Sequence, residues 1–389
     1  MRARAKMGVA PERRRPRNSR LDWSAMAPAF PEFIGWAAPQ ESSEVMAPQG
    51  PVFDAGVLAR TARVHEDAGF DRVLIGYFTN APDGFLVAAH VAATTERLGL
   101  LLAHRPGFVA PTLAARKLAT LDQLSKGRAA VHIISGGSDA DQAKDGDFAD
   151  HGVRYRRSAE YVRVLRQTWT ARQPFDHAGE FYRVTGAHSD ITTWSGGEIP
   201  VYGGGGSDDA IETLAPVIDT FMLWGEPLAE TAAFMERVRA VAASAGNEIG
   251  FSVSTRPIIA ETEGTAWDKA RGYLDQILAA ARRPAPTTAP NVGSQRLLDI
   301  AARDEVFDRF LWTPLAAATG ARGNSTALVG TPDTVAEALA DYVDIGATTL
   351  LISGYEPLAD AAAYGRELIP RVREIVRQRR AARLAAATS

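Results

Sequence analysis

Four consecutive glycines, in the stretch IPVYGGGGSDDAIETLA (Ile199–Ala215), mark the first place where this sequence could bind a charged group. A short apolar run precedes the glycines, and a helical pattern follows them. The bare N–H groups of such a turn, at the start of a helix, favour an anion, usually a phosphate. Ser207 stands where an N-cap or a phosphate-binding hydroxyl would stand. The alternative is a surface turn that needs positive φ angles.

Polar and aromatic side chains also follow the predicted strands. They are Trp36, Tyr77, Thr79, His104, Arg105, His132, Ser135, Gly204–Ser207, Trp224, Glu226, Ser254, Arg256 and Tyr355. In a barrel of parallel strands, these positions converge on one mouth. Trp, His, Arg and Tyr together suit a planar aromatic cofactor that carries a phosphate, next to an anionic substrate. The sequence therefore predicts that the glycine turn lets a cofactor phosphate approach the backbone.

Short apolar runs alternate with longer amphipathic patterns, which predicts a parallel sheet covered by helices. The predicted strands are Glu32–Ala38, Arg72–Tyr77, Leu98–Arg105, Arg128–Gly136, Ile199–Gly204, Val217–Gly225, Ile249–Glu261 and Thr348–Tyr355. The predicted helices include Val52–Ala68, Thr112–Leu124, Tyr155–Thr170, Pro227–Ala243 and Thr331–Gly346. Eight such units in about 350 residues predict an α/β fold, a (β/α)8 TIM barrel with insertion loops. A doubly wound open sheet is the alternative, which is weakened because no G-x-G-x-x-G follows the first strand.

Two segments exceed the usual length of loops, and both are predicted to be insertions of the barrel. They lie near residues 176–198 and 282–326. The second begins with a Pro-, Ala- and Thr-rich run, and it is a lid candidate. Residues 30–380 are predicted to form a single barrel domain. Residues 1–29 are predicted to form a basic, disordered tail, or an over-long start with Met7 or Met26 as the true initiator.

The composition of the chain excludes several kinds of site and of protein. The chain has 389 residues, of which 46% are hydrophobic and 23% are charged, as is ordinary for a soluble globular protein. It has no cysteine, so disulfides, thiolate nucleophiles and Cys-ligated metals are excluded. The seven histidines are scattered without H-E-x-x-H spacing, which argues against a catalytic metal. No apolar run reaches about 18 residues, so we expect no transmembrane helix. The absence of cysteine fits a cytoplasmic enzyme.

The first twenty residues carry a net charge of +7, which leaves −10 for the rest of a chain whose total is −3. An Arg-rich tail can contact nucleic acid, but the acidic body argues against that function. No apolar segment follows the Arg run, so we expect that it is not a secretion signal.

Six stretches of the chain resemble the bacterial-luciferase-like flavin monooxygenases. They are Pro106–Gly137, Asp150–Trp169, Val201–Ala215, Leu223–Pro227, Gly320–Leu339 and Leu350–Val372. The likeness runs from about Phe33 to Arg373 with the motifs in order, and it is greatest to the alkanesulfonate monooxygenases. The resemblance implies that reduced FMN is a diffusible co-substrate, supplied by a separate NAD(P)H-dependent flavin reductase. It also implies a homodimer or homotetramer.

The same resemblance assigns flavin-binding positions. They are Thr79, His132, Ser135, Gly136, Tyr155, Ser158, Gly205, Gly206 and Ser207. Ser207 and the two glycines match the phosphate-binding turn, and Tyr155 and Ser158 match positions near the phosphate or ribityl chain. A plain barrel histidine is the alternative for His132, and a plain helix-start aromatic is the alternative for Tyr155.

The substrate side keeps part of the pattern of the alkanesulfonate enzymes. The resemblance implies catalytic roles for Trp224, for Arg322 on a mobile loop and for Tyr355 as a potential proton donor. A solvated loop charge is the alternative for Arg322. The family's Arg-x-His on the seventh strand is replaced by Ser254 and Arg256. Arg256 can still supply positive charge, because residues two apart on a strand share a face, but the histidine is gone.

The leading interpretation is an FMNH₂-dependent two-component monooxygenase that uses O₂. It would cleave the C–S bond of a small sulfonate or sulfone and release sulfite or sulfinate and an aldehyde. The departures on the seventh strand leave open a larger, aromatic or less acidic organosulfur compound, or a substrate without sulfur. An F420-dependent oxidoreductase on the same barrel is one alternative, and a non-catalytic flavin-binding protein is another.

Overall fold

The strands of the computed structural model, which describes residues 30–280, 291–322 and 326–388, are short. They are β1 (Glu32–Trp36), β2 (Arg72–Ile75), β3 (Gly99–His104), β4 (Ala129–Ile133), β5 (Phe175–Ala178), β6 (Arg183–Ala187), β7 (Val201–Gly204), β8 (Thr220–Trp224), β9 (Gly250–Ile259), β10 (Val306–Phe307), β11 (Leu311–Trp312), β12 (Ala327–Gly330) and β13 (Thr349–Ile352). Eight of them pair in parallel in the order β1-β2-β3-β4-β7-β8-β9-β13, and β13 pairs with β1 to close the ring. The predicted (β/α)8 barrel is therefore confirmed, and each predicted strand contains one barrel strand. The predicted basic tail, residues 1–29, lies outside the described residues.

Helices follow the strands and cover the barrel. They are α1 (Ala55–Asp67), α2 (Gly84–Thr94), α3 (Pro111–Ser125), α4 (Asp139–Lys144), α5 (His151–Thr170), α6 (Asp208–Leu214), α7 (Leu228–Ser244), α8 (Glu263–Ala280), α9 (Val292–Ala301), α10 (Pro314–Thr319), α11 (Pro332–Asp344), α12 (Pro357–Ala363) and α13 (Ile369–Thr388), with a π-helical turn, Tyr364–Leu368, before α13. Asp54, Asp83 and Thr331 each accept a backbone N–H and cap α1, α2 and α11, respectively. Within the described part of the chain, no helix combines the length and the apolar character that crossing a membrane requires.

Alternation of side chains along the strands separates the barrel interior from the layer beneath the helices. The interior contains Ile34, Leu74, Leu101, Ala103, Ala130, Tyr202 and Leu351. The opposite strand faces pack against the helices and include Phe33, Val73, Leu100, Leu102, Val131, Val201 and Leu350. This alternation decides which residues near the strand ends reach the mouth.

Strand β9 is ten residues long and belongs to two sheets. Up to Thr255 it pairs with β13 inside the barrel ring. From Arg256 onward it pairs with β12, which continues into the antiparallel strands β11 and β10. The second predicted insertion supplies β10, β11, α9 and α10 to this side structure. Its residues 282–290, with which the lid candidate begins, and 323–325 lie outside the described residues.

The first predicted insertion contains the antiparallel hairpin β5–β6. Glu160 on α5 anchors this hairpin, because its carboxylate accepts the backbone N–H of Phe181 at 3.0 Å and that of Tyr182 at 2.8 Å. His177 Nε2 lies 3.0 Å from the same carboxylate. The hairpin is thereby fixed against a helix of the barrel.

Candidate active site

A cavity of about 1190 Å³ opens where the parallel barrel strands end. Ten of the thirteen predicted site residues line it: His132, Ser135, Gly136, Tyr155, Gly205, Gly206, Ser207, Trp224, Arg256 and Arg322. Pockets for one drug-sized ligand measure roughly 300–1,000 Å³, so this cavity has room for a cofactor together with a small substrate. The other three residues, Thr79, Ser158 and Tyr355, do not belong to the cavity wall.

The glycine turn after β7 is closely packed rather than exposed. A Cβ atom on Gly205 would collide with the hydroxyl of Tyr155, and one on Gly206 would lie 2.9 Å from the backbone nitrogen of Gly293. Ser207 caps α6, because its Oγ accepts a backbone N–H at 3.3 Å. Close packing of Tyr155 and of the start of α9 therefore accounts for these two glycines, and it places both groups at the cavity.

A second turn at the cavity follows β4 and comprises Ser135 and Gly136. The hydroxyl oxygens of Ser135 and of Ser158, on α5, lie 2.9 Å apart. Arg154, also on α5 and 1% exposed, donates from Nε to the carbonyl oxygen of Ser135 at 3.0 Å and from Nη2 to that of Gly136 at 3.4 Å. Its Nη2 also pairs with Asp139 at 2.8 Å. Ser158 thus contacts the site through Ser135, and Arg154 holds the turn in place.

His132 lies on the interior face of β4, two residues beyond Ala130, and borders the cavity. Its Nδ1 has no hydrogen-bond partner among the described residues. Burial lowers the pKa of this imidazole to about 4, so the ring is neutral near pH 7. A neutral imidazole offers one donor and one acceptor nitrogen. The unpaired nitrogen distinguishes His132 from a core histidine whose two nitrogens are both satisfied.

The start of α9 lies between the two turns and closes one side of the cavity. A Cβ atom on Gly137 would lie 3.0 Å from Nδ2 of Asn291, the capping residue of α9. A Cβ atom on Gly293 would lie 3.1 Å from the ring of Trp224. Trp224 is therefore held between the end of β8 and the first turn of α9.

Arg256 lies where β9 leaves the barrel, and it is only 6% exposed. Its Nη1 pairs with the carboxylate of Glu44, in the loop between β1 and α1. Its Nη2 donates to the carbonyl oxygen of Gly354 at 2.8 Å. Its Cζ lies 3.7 Å from the centroid of the Tyr355 ring. The guanidinium is thus held on three sides, and its charge is balanced by Glu44.

Two further arginines line the cavity. Arg296 on α9 pairs with the carboxylate of Glu226 through both Nε, at 2.8 Å, and Nη2. Arg322 is exposed and forms no ion pair with another described residue. Across the described ranges, no three His, Asp or Glu side chains are grouped as a metal site would require.

Tyr355 lies behind the cavity wall. It is 1% exposed, and its ring packs 5.0 Å from the ring of Tyr273 on α8. Its hydroxyl has no hydrogen-bond partner among the described residues, and burial raises its pKa. Its contact with the site runs through Arg256, and a proton-donor role for Tyr355 stays a prediction.

Thr79 and two other polar residues near the strand ends face α4 instead of the cavity. Thr79 Oγ1 donates to Asp141 at 2.8 Å, and Arg105 pairs with the same carboxylate at 3.1 Å. The hydroxyl of Tyr77 donates to Asp145 at 2.9 Å. This cluster fixes α4 beside the mouth, and a flavin contact of Thr79 stays a prediction.

His104 does not reach the predicted mouth. It shares the outward face of β3 with Leu102, and its Nε2 lies 2.7 Å from the hydroxyl oxygen of Tyr161 on α5. Burial lowers the pKa of His104 to about 4. Strand alternation explains this position, because Ala103 takes the inward face at the same strand end.

Sequence reasoning missed Glu44, Arg154, Asn291 and Arg296. Arg154 directly precedes Tyr155 in the stretch Asp150–Trp169, which resembles the family, so this stretch contained a signal for it. Glu44 lies in an irregular loop, 212 residues before the arginine that it pairs with, and no local pattern marks it. Asn291 and Arg296 follow the Pro-rich run, where the periodicity is interrupted.

Comparison with known proteins gives one family over most of the chain. The family model described as luciferase-like monooxygenase matches residues 32–349. These bounds include all of the barrel strands except the last three residues of β13.

Solved structures share the fold at low sequence identity. The chain is similar to a riboflavin lyase crystallised with modified FMN and riboflavin, at 20% identity and a TM-score of 0.72, covering 89% of this chain and 92% of that chain. It is similar to EDTA monooxygenase from Chelativorans sp. BNC1, at 19% identity and a TM-score of 0.71, covering 90% and 94%. It is also similar to an F420-dependent secondary alcohol dehydrogenase, at 13% identity and a TM-score of 0.64, covering 88% and 99%.

Proposed function

The chain belongs to the luciferase-like monooxygenase family, and we propose that it uses reduced FMN and O₂ to oxidise a small organosulfur compound, a sulfonate or a sulfone. The family match confirms the predicted resemblance and the predicted monooxygenase class. The special likeness to alkanesulfonate monooxygenases stays a prediction. The choice of FMN over F420 also belongs to the proposal, because similar folds serve both cofactors.

The observation that supports the proposal most is the meeting of two glycine turns and a neutral histidine at one cavity. The turns at Gly136 and Gly205–Gly206 border the cavity together with His132 and Tyr155. A flat ring system bound in the cavity would lie against His132, whose unpaired nitrogen is available for a hydrogen bond. A phosphate bound at the turn after β7 would lie near the hydroxyls of Ser207 and Tyr155. The residues present therefore fit an FMN molecule.

FMN in its reduced form supplies two electrons and activates O₂. With a sulfonate, one oxygen atom would end in the aldehyde and the other in water, while the C–S bond breaks and sulfite leaves; with a sulfone, a sulfinate leaves. The side chains of this protein orient and enclose the reactants. Arg154 and Ser158 hold the turn after β4, and Trp224 with the start of α9 limits access of water from one side.

Partners follow from the same proposal. A separate NAD(P)H-dependent flavin reductase would supply reduced FMN in the cytoplasm, and the enzyme would act as a homodimer or homotetramer. The cavity opens at the barrel mouth, which suits a flavin that enters and leaves with each turnover.

The test is an anaerobic titration of the purified protein with photoreduced FMN, followed by an oxygen pulse monitored by stopped-flow absorbance. We expect tight binding of reduced FMN and a rate of flavin reoxidation that differs from that of free reduced FMN. Absence of binding would overturn the FMN proposal. A parallel hydride-transfer assay with reduced F420 under nitrogen identifies the alternative oxidoreductase, and failure of both assays would favour a barrel without flavin chemistry.

A further inference from the structure

We propose that Glu44 sets the substrate class: by neutralising Arg256 it makes this part of the cavity reject anions, so the substrate is uncharged where it meets Arg256. This inference rests on the proposed function and chooses between its two substrate classes. A sulfone fits such a wall, whereas a sulfonate brings a negative charge to a site that already holds one.

Groups of the protein itself surround the guanidinium of Arg256. Its Nη1 pairs with Glu44, its Nη2 donates to the carbonyl oxygen of Gly354 at 2.8 Å, and the Tyr355 ring lies 3.7 Å from its Cζ. Glu44 and Arg256 both line the cavity. An anionic headgroup that approached Arg256 would therefore meet the Glu44 carboxylate beside it.

Ser43 fixes the backbone turn that carries Glu44. The hydroxyl of Ser43 donates to the carbonyl oxygen of Tyr355, on the same segment that flanks Arg256. The same hydroxyl oxygen accepts the backbone N–H groups of Val45 at 3.2 Å and Met46 at 3.1 Å. The short turn around Glu44 is thus tied to the β13–α12 loop, which places the backbone of Glu44 beside the segment that flanks Arg256.

A second arginine of the wall, the partly exposed Arg296, shows the same pairing with a carboxylate. Arg296 is paired with Glu226 through two hydrogen bonds, so its charge is balanced as well. Arg322, which is exposed, is the cavity-lining arginine without a carboxylate partner among the described residues. Among the described arginines of the wall, Arg322 is therefore the one whose positive charge is not balanced by a carboxylate. The charges of Arg256 and Arg296 are balanced by Glu44 and Glu226.

Like charges brought together in a partly desolvated site repel strongly, and such repulsion is a common means of rejecting a wrong ligand. Removing the charge of Glu44 while keeping its shape should release Arg256 to receive an anion. The effect should appear as a change in the ratio of the affinities for a sulfone and a sulfonate rather than as an equal change in both affinities.

The experiment compares two nearly isosteric probes, pentane-1-sulfonate and 1-(methylsulfonyl)pentane, which differ by an anionic oxygen in place of a methyl group. Binding of each is measured by isothermal titration calorimetry to the full chain, both without flavin and with oxidised FMN added. We expect the wild type to bind the sulfone at least about tenfold more tightly than the sulfonate. Glu44→Gln should reduce or reverse that ratio, mainly by raising the affinity for the sulfonate.

Two variants secure the interpretation. The double variant Glu44→Gln/Arg256→Gln should lose the gain in sulfonate affinity, because the released guanidinium is absent. Glu236→Gln, an exposed change on α7 where Glu236 pairs with Arg239, removes one negative charge outside the cavity wall and should keep the wild-type ratio.

Equal or tighter binding of the sulfonate by the wild type would overturn the inference, as would an unchanged ratio in Glu44→Gln or binding of neither probe. None of these readouts depends on reduced flavin or on turnover. The anaerobic titration therefore tests the FMN proposal, and the calorimetry tests the role of Glu44 separately.

Discussion

The backbone nitrogen of Gly293 lies 2.9 Å from the point that a Cβ atom on Gly206 would occupy. The glycine turn after β7 and the first turn of α9 therefore touch backbone to backbone. The glycine run does more than expose N–H groups, because it also lets a helix from a distant insertion close the cavity. Changes at this contact should alter ligand binding without altering the barrel.

Gly206→Ala should push the start of α9 away from the turn and weaken FMN binding by roughly tenfold, since an added methyl group in a packed site costs about 1–3 kcal/mol. Fluorescence titration with FMN measures the change. Gly272→Ala is the matched control, because a Cβ atom there has no neighbour within 4 Å. An unchanged FMN affinity in Gly206→Ala would show that the contact with α9 does not shape the flavin site.

Ser207→Asp should weaken binding of reduced FMN at least about tenfold, because a carboxylate would face the cofactor phosphate. Aspartate is as good an N-cap as serine, so α6 should keep its start. Ser207→Asn, a neutral residue that also caps helices, provides the control and should retain most of the affinity. Equal affinity of the Asp and Asn variants for reduced FMN in the anaerobic titration would show that the phosphate does not bind at this turn.

Arg154→Lys should lower the free energy of unfolding by about 2–3 kcal/mol, because lysine cannot replace the forked donors that reach the carbonyls of Ser135 and Gly136. It should also weaken flavin binding, since the turn after β4 loses its support. Urea denaturation measures the stability. Arg156→Lys is the control, because Arg156 is half exposed and pairs with Glu180 on the surface. A similar stability of both variants would contradict the assigned role of Arg154.

Acidification should destabilise the protein through buried His104. Its pKa is lowered to about 4 by burial, from an ordinary value of 6.5. Between these values the unfolded chain binds more protons than the folded one, so stability is lost as the pH falls. Between pH 7 and pH 5 the loss from this group is about 2 kcal/mol, and His104→Phe should remove that part of the pH dependence.

The measurement for this prediction is the free energy of unfolding in urea at both pH values. His188→Gln is the comparison, because His188 is exposed and directly follows β6. An identical pH dependence in the His104→Phe variant and the wild type would mean that His104 is accessible to protons in the folded state.

The barrel could be predicted because its signal is local. Each barrel strand is a buried apolar run, and each predicted helix has a periodic apolar face, so the order of elements could be read along the chain. The side sheet of β10 and β11 was not predicted, since strands of two residues carry too little pattern to recognise.

The site could be predicted only in part, because a strand end has two faces. His132 and His104 both lie near the ends of barrel strands, yet the first borders the cavity and the second packs against Tyr161. Their roles differ by the alternation of the strand, which the sequence shows only once the interior face is known. The pairing of Glu44 with Arg256 joins residues 212 positions apart and depends on closure of the ring.

The long strand β9 serves two sheets, and Arg256 marks the point where it passes from one to the other. The turns that fit a flavin follow β4 and β7, whereas the Arg256 pair is built on β9, the β13–α12 loop and the loop after β1. A division of the chain inside β9 would therefore leave Glu44 with the two turns and place Arg256 on the other side. Recombination between related barrels at this point would bring the two members of the ion pair from different parents, so their charge balance survives only where both parents match at these two positions.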